Sequence, residues 1–136
     1  MTLLEAADLL EREAKRTREA AHGAVSDAAN ELRGLAVGRS SGPYSSGDLA
    51  TLGHPYSRRH SSPLLPPEII NVQTGDFRRG WRVAKLGYSA SVFNEDPKGT
   101  YLELGDEKMI ARPIWDGIEE TAVDLLADAF DRRITQ

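Results

Sequence analysis

The chain has 136 residues and a mass of 14.9 kDa. This size fits one compact domain and excludes most catalytic scaffolds of about 200 residues or more. The absence of cysteine excludes disulfides, thiol catalysis and cysteine-ligated metal sites. The N-terminal residues lack a basic stretch, and no apolar run approaches the roughly 18 residues of a membrane span. We therefore expect neither a signal peptide nor contact with a membrane.

The formal net charge of -4 is unevenly distributed along the chain. Residues 1–37 hold five basic and seven acidic side chains, residues 38–93 hold seven and three, and residues 94–136 hold five and eleven. The middle third is therefore positive and the last third strongly negative. This polarity predicts head-to-tail contact between copies or docking onto an acidic partner, while a solvated surface remains an alternative.

The first segment has the pattern of a long amphipathic helix with a narrow, alanine-rich apolar stripe over residues 3–35. Thr2 is a suitable N-cap because Glu5 follows three residues later. Gly34 or Gly38 is expected to end the helix.

Residues 38–67 are rich in glycine, proline and serine and show little apolar periodicity, which predicts a flexible arm of about 30 residues. Such a segment is usually functional or becomes ordered on binding. The residues in it that we expect to contact a partner are His54, Tyr56, Arg58, Arg59 and His60.

Short β-type runs follow at Trp81–Leu86, Tyr88–Phe93 and Thr100–Leu104, with a weaker candidate over residues 69–73. Gly87 separates the first two runs closely enough for a hairpin. These runs predict a small antiparallel meander.

Pro113 is expected to open a final helix whose apolar face covers the sheet, with Trp81 and Trp115 in the core between them. The predicted fold class is α+β, in one domain over residues 1–136. Its parts are a helix over residues 1–37, the arm over residues 38–67, and the sheet with the C-terminal helix over residues 68–136.

Two patterns suggest catalysis or metal binding but lack the required context. The sequence Gly38–Gly42 matches the G-x-S-x-G turn of a serine nucleophile, yet a helix precedes Ser40 and a proline follows, so a serine-rich loop is the better interpretation. With three histidines in the chain, a zinc site would have to recruit carboxylates from elsewhere. We predict no cofactor and no metal.

A basic run around Trp81 offers a second surface for partners. Arg78, Arg79 and Arg82 can hold phosphates beside an aromatic ring. Alternation along the strand places Arg82 on the face opposite Trp81, which favours one polar and one apolar strand face over a nucleic-acid site. Glu103 is likewise interpreted as a strand-surface residue and not as a catalytic acid, because no spacing supports an acid–base pair.

The order of several short motifs resembles the tail-completion, or head-tail joining, proteins of long-tailed bacteriophages. In chain order they are HPYSRR from residue 54, QTGDFRRGW from residue 73, YLELG from residue 101 and MIARP from residue 109. The match covers roughly residues 54–120, and the order and spacing carry it. Phe77, Gly80 and Asp106 depart from the family pattern, which has Leu, Ser and Thr there.

The resemblance implies an α+β fold with a long N-terminal helix, a small antiparallel sheet and a C-terminal helix, and it brings no catalytic residues. Individual residues of the motifs fit structural roles, such as a cap and flexible backbone at Thr74 and Gly75, a bend at Gly105 and a helix start at Pro113. The motif residues to which we assign structural roles are Thr74, Gly75, Trp81, Glu103, Gly105, Arg112 and Pro113.

The function implied by this resemblance is that of a non-enzymatic virion protein of the phage neck, assembled in the host cytoplasm. It would form a homo-oligomeric ring, commonly sixfold in the family, between the head connector or stopper protein and the tail tube, with possible transient contact to passing DNA. A tail terminator is a near variant. The alternative from another class is a small nucleic-acid-binding module using Arg58, Arg59, Arg78, Arg79 and Arg82, and a hydrolase using Ser40 ranks last.

Overall fold

The computed structural model describes residues 1–42, 48, 51, 70, 75–105 and 111–136, and it has the predicted α+β architecture. A long N-terminal helix, a two-stranded antiparallel sheet and a C-terminal helix are its main parts. In chain order the elements are α1 (Leu3–Arg39), α2 (Asp76–Arg79), β1 (Trp81–Leu86), β2 (Ser89–Asn94), α3 (Lys98–Leu104) and α4 (Ile118–Ile134).

Helix α1 begins with the predicted capping box. The Thr2 hydroxyl accepts a hydrogen bond from the Glu5 backbone N–H at 3.2 Å, and the Thr2 N–H donates to the Glu5 carboxylate at 2.6 Å. The bond from the Thr2 backbone lowers the pKa of Glu5. The predicted end was wrong, because α1 continues through Gly34 and Gly38 to Arg39. The C-terminal end of α1 packs Ala36 into the core with Trp81 and Ile114, and these tertiary contacts offset the cost of about 1 kcal/mol that each glycine imposes on a helix.

Strands β1 and β2 form the predicted hairpin. The register runs from Trp81 opposite Asn94 to Leu86 opposite Ser89. Gly87 adopts a φ of 58° in the two-residue turn, a conformation that glycine reaches without steric cost. The second strand therefore starts at Ser89, one residue later than predicted.

The predicted third strand, Thr100–Leu104, was wrong, because these residues belong to helix α3. In the described part of the chain the sheet has two strands. The residues just before this segment favour the start of a helix, which explains why no strand forms there. The Asp96 carboxylate accepts the Lys98 N–H at 2.9 Å, and Pro97 presets a helical φ of -62° at the N-cap. Gly105, with a φ of 72°, ends the helix.

Of the weaker strand candidate over residues 69–73, Ile70 is described and the other residues lie outside the described part of the chain. Ile70 is buried. Its N–H donates to the Arg39 carbonyl at 2.7 Å, and its carbonyl accepts the Gly42 N–H at 3.1 Å. This backbone pairing fastens Ile70 to the end of α1.

Helix α4 begins at Ile118 and not at Pro113 as predicted. Residues 114–117 form a turn that ends at Gly117, whose φ of 76° interrupts the helical path. The Arg39 guanidinium donates hydrogen bonds to the carbonyls of Ile114 and Asp116. The turn is therefore fixed against the C-terminal end of α1.

Helices α1 and α4 pack antiparallel. Arg133 makes two hydrogen bonds to the Asp27 carboxylate, at 2.7 and 3.0 Å, and Arg132 pairs with Glu31 at 2.9 Å. The Arg133 hydrogen bond lowers the pKa of Asp27. Near the end of α4, Arg16 donates to the Ile134 carbonyl. Because α4 ends there, residues 3–13 of α1 extend beyond it.

The core lies at the C-terminal end of α1, where five elements and segments meet. Its buried members are Ala36, Ile70, Trp81, Ile114 and Ile118. Among the described helices, none combines the length and the apolar character needed to cross a bilayer.

Candidate assembly surfaces

Trp81 occupies the centre of the core, as predicted, and is 3% exposed. Its ring meets Phe77 and Trp115 edge to face, with centroids 5.7 and 5.3 Å apart. Trp115 is half-buried at the edge of the core. The aromatic cluster therefore joins α2, β1 and the turn before α4.

Ser40 is a buried structural residue. Its hydroxyl donates to the Ala36 carbonyl at 2.8 Å and accepts the Trp81 indole N–H at 2.8 Å. The loop prediction was wrong for Gly38 and Arg39, which lie in α1, and Ser40 caps that helix. The first bond closes the end of α1, and the second connects that end with β1.

We expect Ser40→Ala to lower the free energy of unfolding by about 1–3 kcal/mol, because it leaves the buried indole N–H of Trp81 without an acceptor. Ser41→Ala is the matched control, since the Ser41 hydroxyl also bonds the carbonyl one turn back, at Val37. Urea unfolding of both variants measures the difference. Equal stability of the two variants would show that the bond to Trp81 contributes nothing.

The three predicted basic residues of the hairpin region lie close together on α2 and β1. Arg78 is exposed, Arg79 pairs with Asp76 at 2.6 Å, and Arg82 pairs with Glu95 at 3.3 Å. As predicted from alternation, Arg82 is exposed whereas Trp81 is buried. Phosphates would have to compete with carboxylates for two of these three arginines.

The predicted arm residues and one motif residue lie outside the described part of the chain, so the structure does not place them. They are His54, Tyr56, Arg58, Arg59, His60 and Thr74. Gly75 is described and stands at the N-cap of α2 with a φ of 84°.

Glu103 and Arg112 lie where α3 meets the segment before α4. Glu103 is half-buried and accepts the Ile114 N–H at 3.1 Å, and burial raises the pKa of this carboxyl. Arg112 is fully buried, and its backbone N–H donates to the Leu102 carbonyl. Glu103 thus has a structural contact, but it makes this contact from helix α3 and not from the strand predicted over Thr100–Leu104.

Helix α4 presents an acidic surface with exposed apolar residues. Val123 is 72% exposed and Leu126 is 41% exposed. Residues 118–131 contain no basic side chain. The exposed acids of this surface are Glu119, Glu120, Asp124, Asp128 and Asp131.

The hairpin presents exposed apolar residues near its turn. Leu86 is 83% exposed and Tyr88 is 55% exposed. The hairpin reaches α1 through Lys85, which donates to Ser26, and through Tyr88, which packs on His22 with ring centroids 4.0 Å apart. Helix α4 contacts α1 on a different face, at Asp27 and Glu31.

An open groove of about 470 Å³ runs along α1 between the hairpin and α4. It is mostly apolar. The residues of α1 in it are Val25, Ala28, Ala29 and Leu32, and the opposing residues include Val92, Ile118, Ala122 and Leu126.

Among the described residues, no group of three or more histidine, aspartate or glutamate side chains could hold a metal ion. No protein-family model, curated protein or solved structure matches the chain significantly. The resemblance to phage neck proteins therefore depends on the sequence motifs.

Proposed function

We propose that the protein is a structural component of the bacteriophage neck that forms a ring of identical copies between the head connector and the tail tube. The order of the motifs from residue 54 supports this role. The α+β architecture, with a long first helix, a hairpin and a last helix, is also the one that the resemblance implies.

The observation that carries the proposal is a pair of complementary surfaces on different faces of α1. The hairpin surface keeps a positive balance, with four basic and two acidic side chains over residues 76–95, and is apolar at Leu86. The α4 surface is acidic around Asp124 and apolar at Val123. Contact between the hairpin of one copy and α4 of the next is heterologous, and a heterologous contact generates a ring when its rotation closes. Opposite charges also favour this contact over hairpin–hairpin pairing.

The nucleic-acid-binding alternative has less support, because Arg79 and Arg82 already pair with carboxylates. A salt titration of binding to DNA addresses this alternative directly. Phosphate-driven affinity falls steeply as salt is raised.

Deletion of the gene from the phage tests the proposal by electron microscopy of the lysate. We expect filled heads and separate tails that do not join. Tails of abnormal length would identify the tail-terminator variant instead. Normal virions in the deletion lysate would contradict both roles.

A further inference from the structure

We propose that α1 of a second copy of this chain packs antiparallel on the exposed N-terminal part of α1. The inference does not depend on the neck function. Most of the segment 3–18 lies beyond the end of α4, and it exposes large apolar side chains. Leu3 is 92%, Leu4 73% and Leu10 70% exposed.

Leu3, Ala7, Leu10 and Ala14 lie on one face of α1, because they are spaced by four, three and four residues. The same helical spacing continues through Ala21 and Ala28 to the groove between the hairpin and α4. The exposed face is thus the uncovered continuation of a face that packs elsewhere in the molecule. We call residues 3–18 the tip of α1.

The charge pattern of the tip favours an antiparallel over a parallel arrangement of two copies. Residues 3–11 hold three acids and no base, whereas residues 12–18 hold four bases and one acid. A parallel pair would place the acidic halves side by side, which is unfavourable. An antiparallel pair places the acidic half of each copy against the basic half of the other.

The side-chain sizes fit the same orientation. With Leu10 of each copy opposite Ala14 of the other, Ala7 meets Thr17 and Leu3 meets Ala21. Each leucine then faces an alanine, which permits close packing of the two helices.

A two-fold pair of this kind closes on itself and yields a dimer. It is therefore distinct from the heterologous hairpin–α4 contact proposed for the ring. Loss of the α1 pairing leaves the hairpin–α4 contact intact, and the reverse also holds. Sedimentation therefore tests the pairing, whereas the deletion lysate tests the neck function.

Sedimentation velocity of the full chain over a concentration series tests the pairing. We expect a dimer that becomes monomeric in Leu10→Asp, with unchanged helical circular dichroism. Leu9→Asp is the matched control, because Leu9 lies on another face of the same helix, and it should remain dimeric. A monomeric wild type, or a dimer equally insensitive to both substitutions, would overturn the proposal.

Two further variants test the orientation. The absence of native cysteine permits disulfide mapping with introduced cysteines. The double variant Leu10→Cys/Ala14→Cys should form a covalent dimer on oxidation, whereas Leu3→Cys alone should not. Efficient cross-linking of Leu3→Cys would indicate parallel helices and overturn the antiparallel assignment.

Discussion

Trp81→Ala is expected to lower the free energy of unfolding by about 3–5 kcal/mol, as truncations of large buried aromatic residues do. The side chain is 3% exposed and packs edge to face with Phe77 and Trp115. Its removal opens a cavity in the core and also leaves the Ser40 hydroxyl without the indole donor. Urea unfolding followed by far-UV circular dichroism measures the change.

Tyr101→Ala is the control for this experiment, because Tyr101 is an aromatic side chain that is 60% exposed. Its loss is expected to change stability by about 0.5 kcal/mol or less, as surface substitutions usually do. Trp115→Ala should fall between the two, since Trp115 is half-buried. A Trp81→Ala variant as stable as Tyr101→Ala would mean that the aromatic cluster does not organise the core.

The elements that could be predicted from sequence are those whose local signals agree with their packing. The capping box at Thr2 and Glu5 is a short-range pattern, and the hairpin follows from two β-type runs separated by Gly87. Burial of Trp81 follows from its place on the apolar face of β1. In each case the tertiary contacts reinforce what the local sequence favours.

The elements that were predicted wrongly lie where a second local signal, or a long-range contact, overrides the local pattern. Residues 100–104 alternate like a strand, but the Asp96–Pro97 turn initiates a helix immediately before them. Pro113 is a frequent first residue of helices, yet Arg39 holds the following carbonyls in a turn that ends at Gly117. Arg39 and this turn are distant in sequence, so no local pattern predicts their contact.

The charges of the candidate surfaces could be predicted from the sequence, but the positions of these surfaces in the fold could not. The basic middle and acidic last third of the chain are evident from residue counts. The sequence does not reveal that the hairpin and α4 pack on different faces of α1, nor that α4 ends near Arg16 and leaves the tip uncovered. Those facts depend on the antiparallel register of α1 and α4, which the ion pairs of Asp27 and Glu31 define.

This antiparallel packing leads to a second prediction of large effect, for Ala129→Asp. Ala129 is 0% exposed on α4, and the α1 residues Ala20, Ala24 and Ala28 are also buried. Helices with small residues at their contact have no space for a carboxylate, and an unpaired buried charge is costly. We expect a loss of about 3–5 kcal/mol at neutral pH, comparable with the loss when a buried charge is left uncompensated.

Ala127→Asp is the matched control, because Ala127 is exposed on the same helix and the substitution adds the same charge. Burial raises the pKa of the carboxyl introduced at position 129 above its value of about 3.9 in the unfolded chain. The variant therefore loses stability as the pH rises from the unfolded-state pKa to the folded-state pKa. The gap in stability between the two variants should therefore be large at pH 7 and should narrow as the pH is lowered toward about 4. Urea unfolding midpoints at both pH values measure this difference. Equal stability of the two variants at neutral pH would show that α4 does not pack closely on α1 at Ala129.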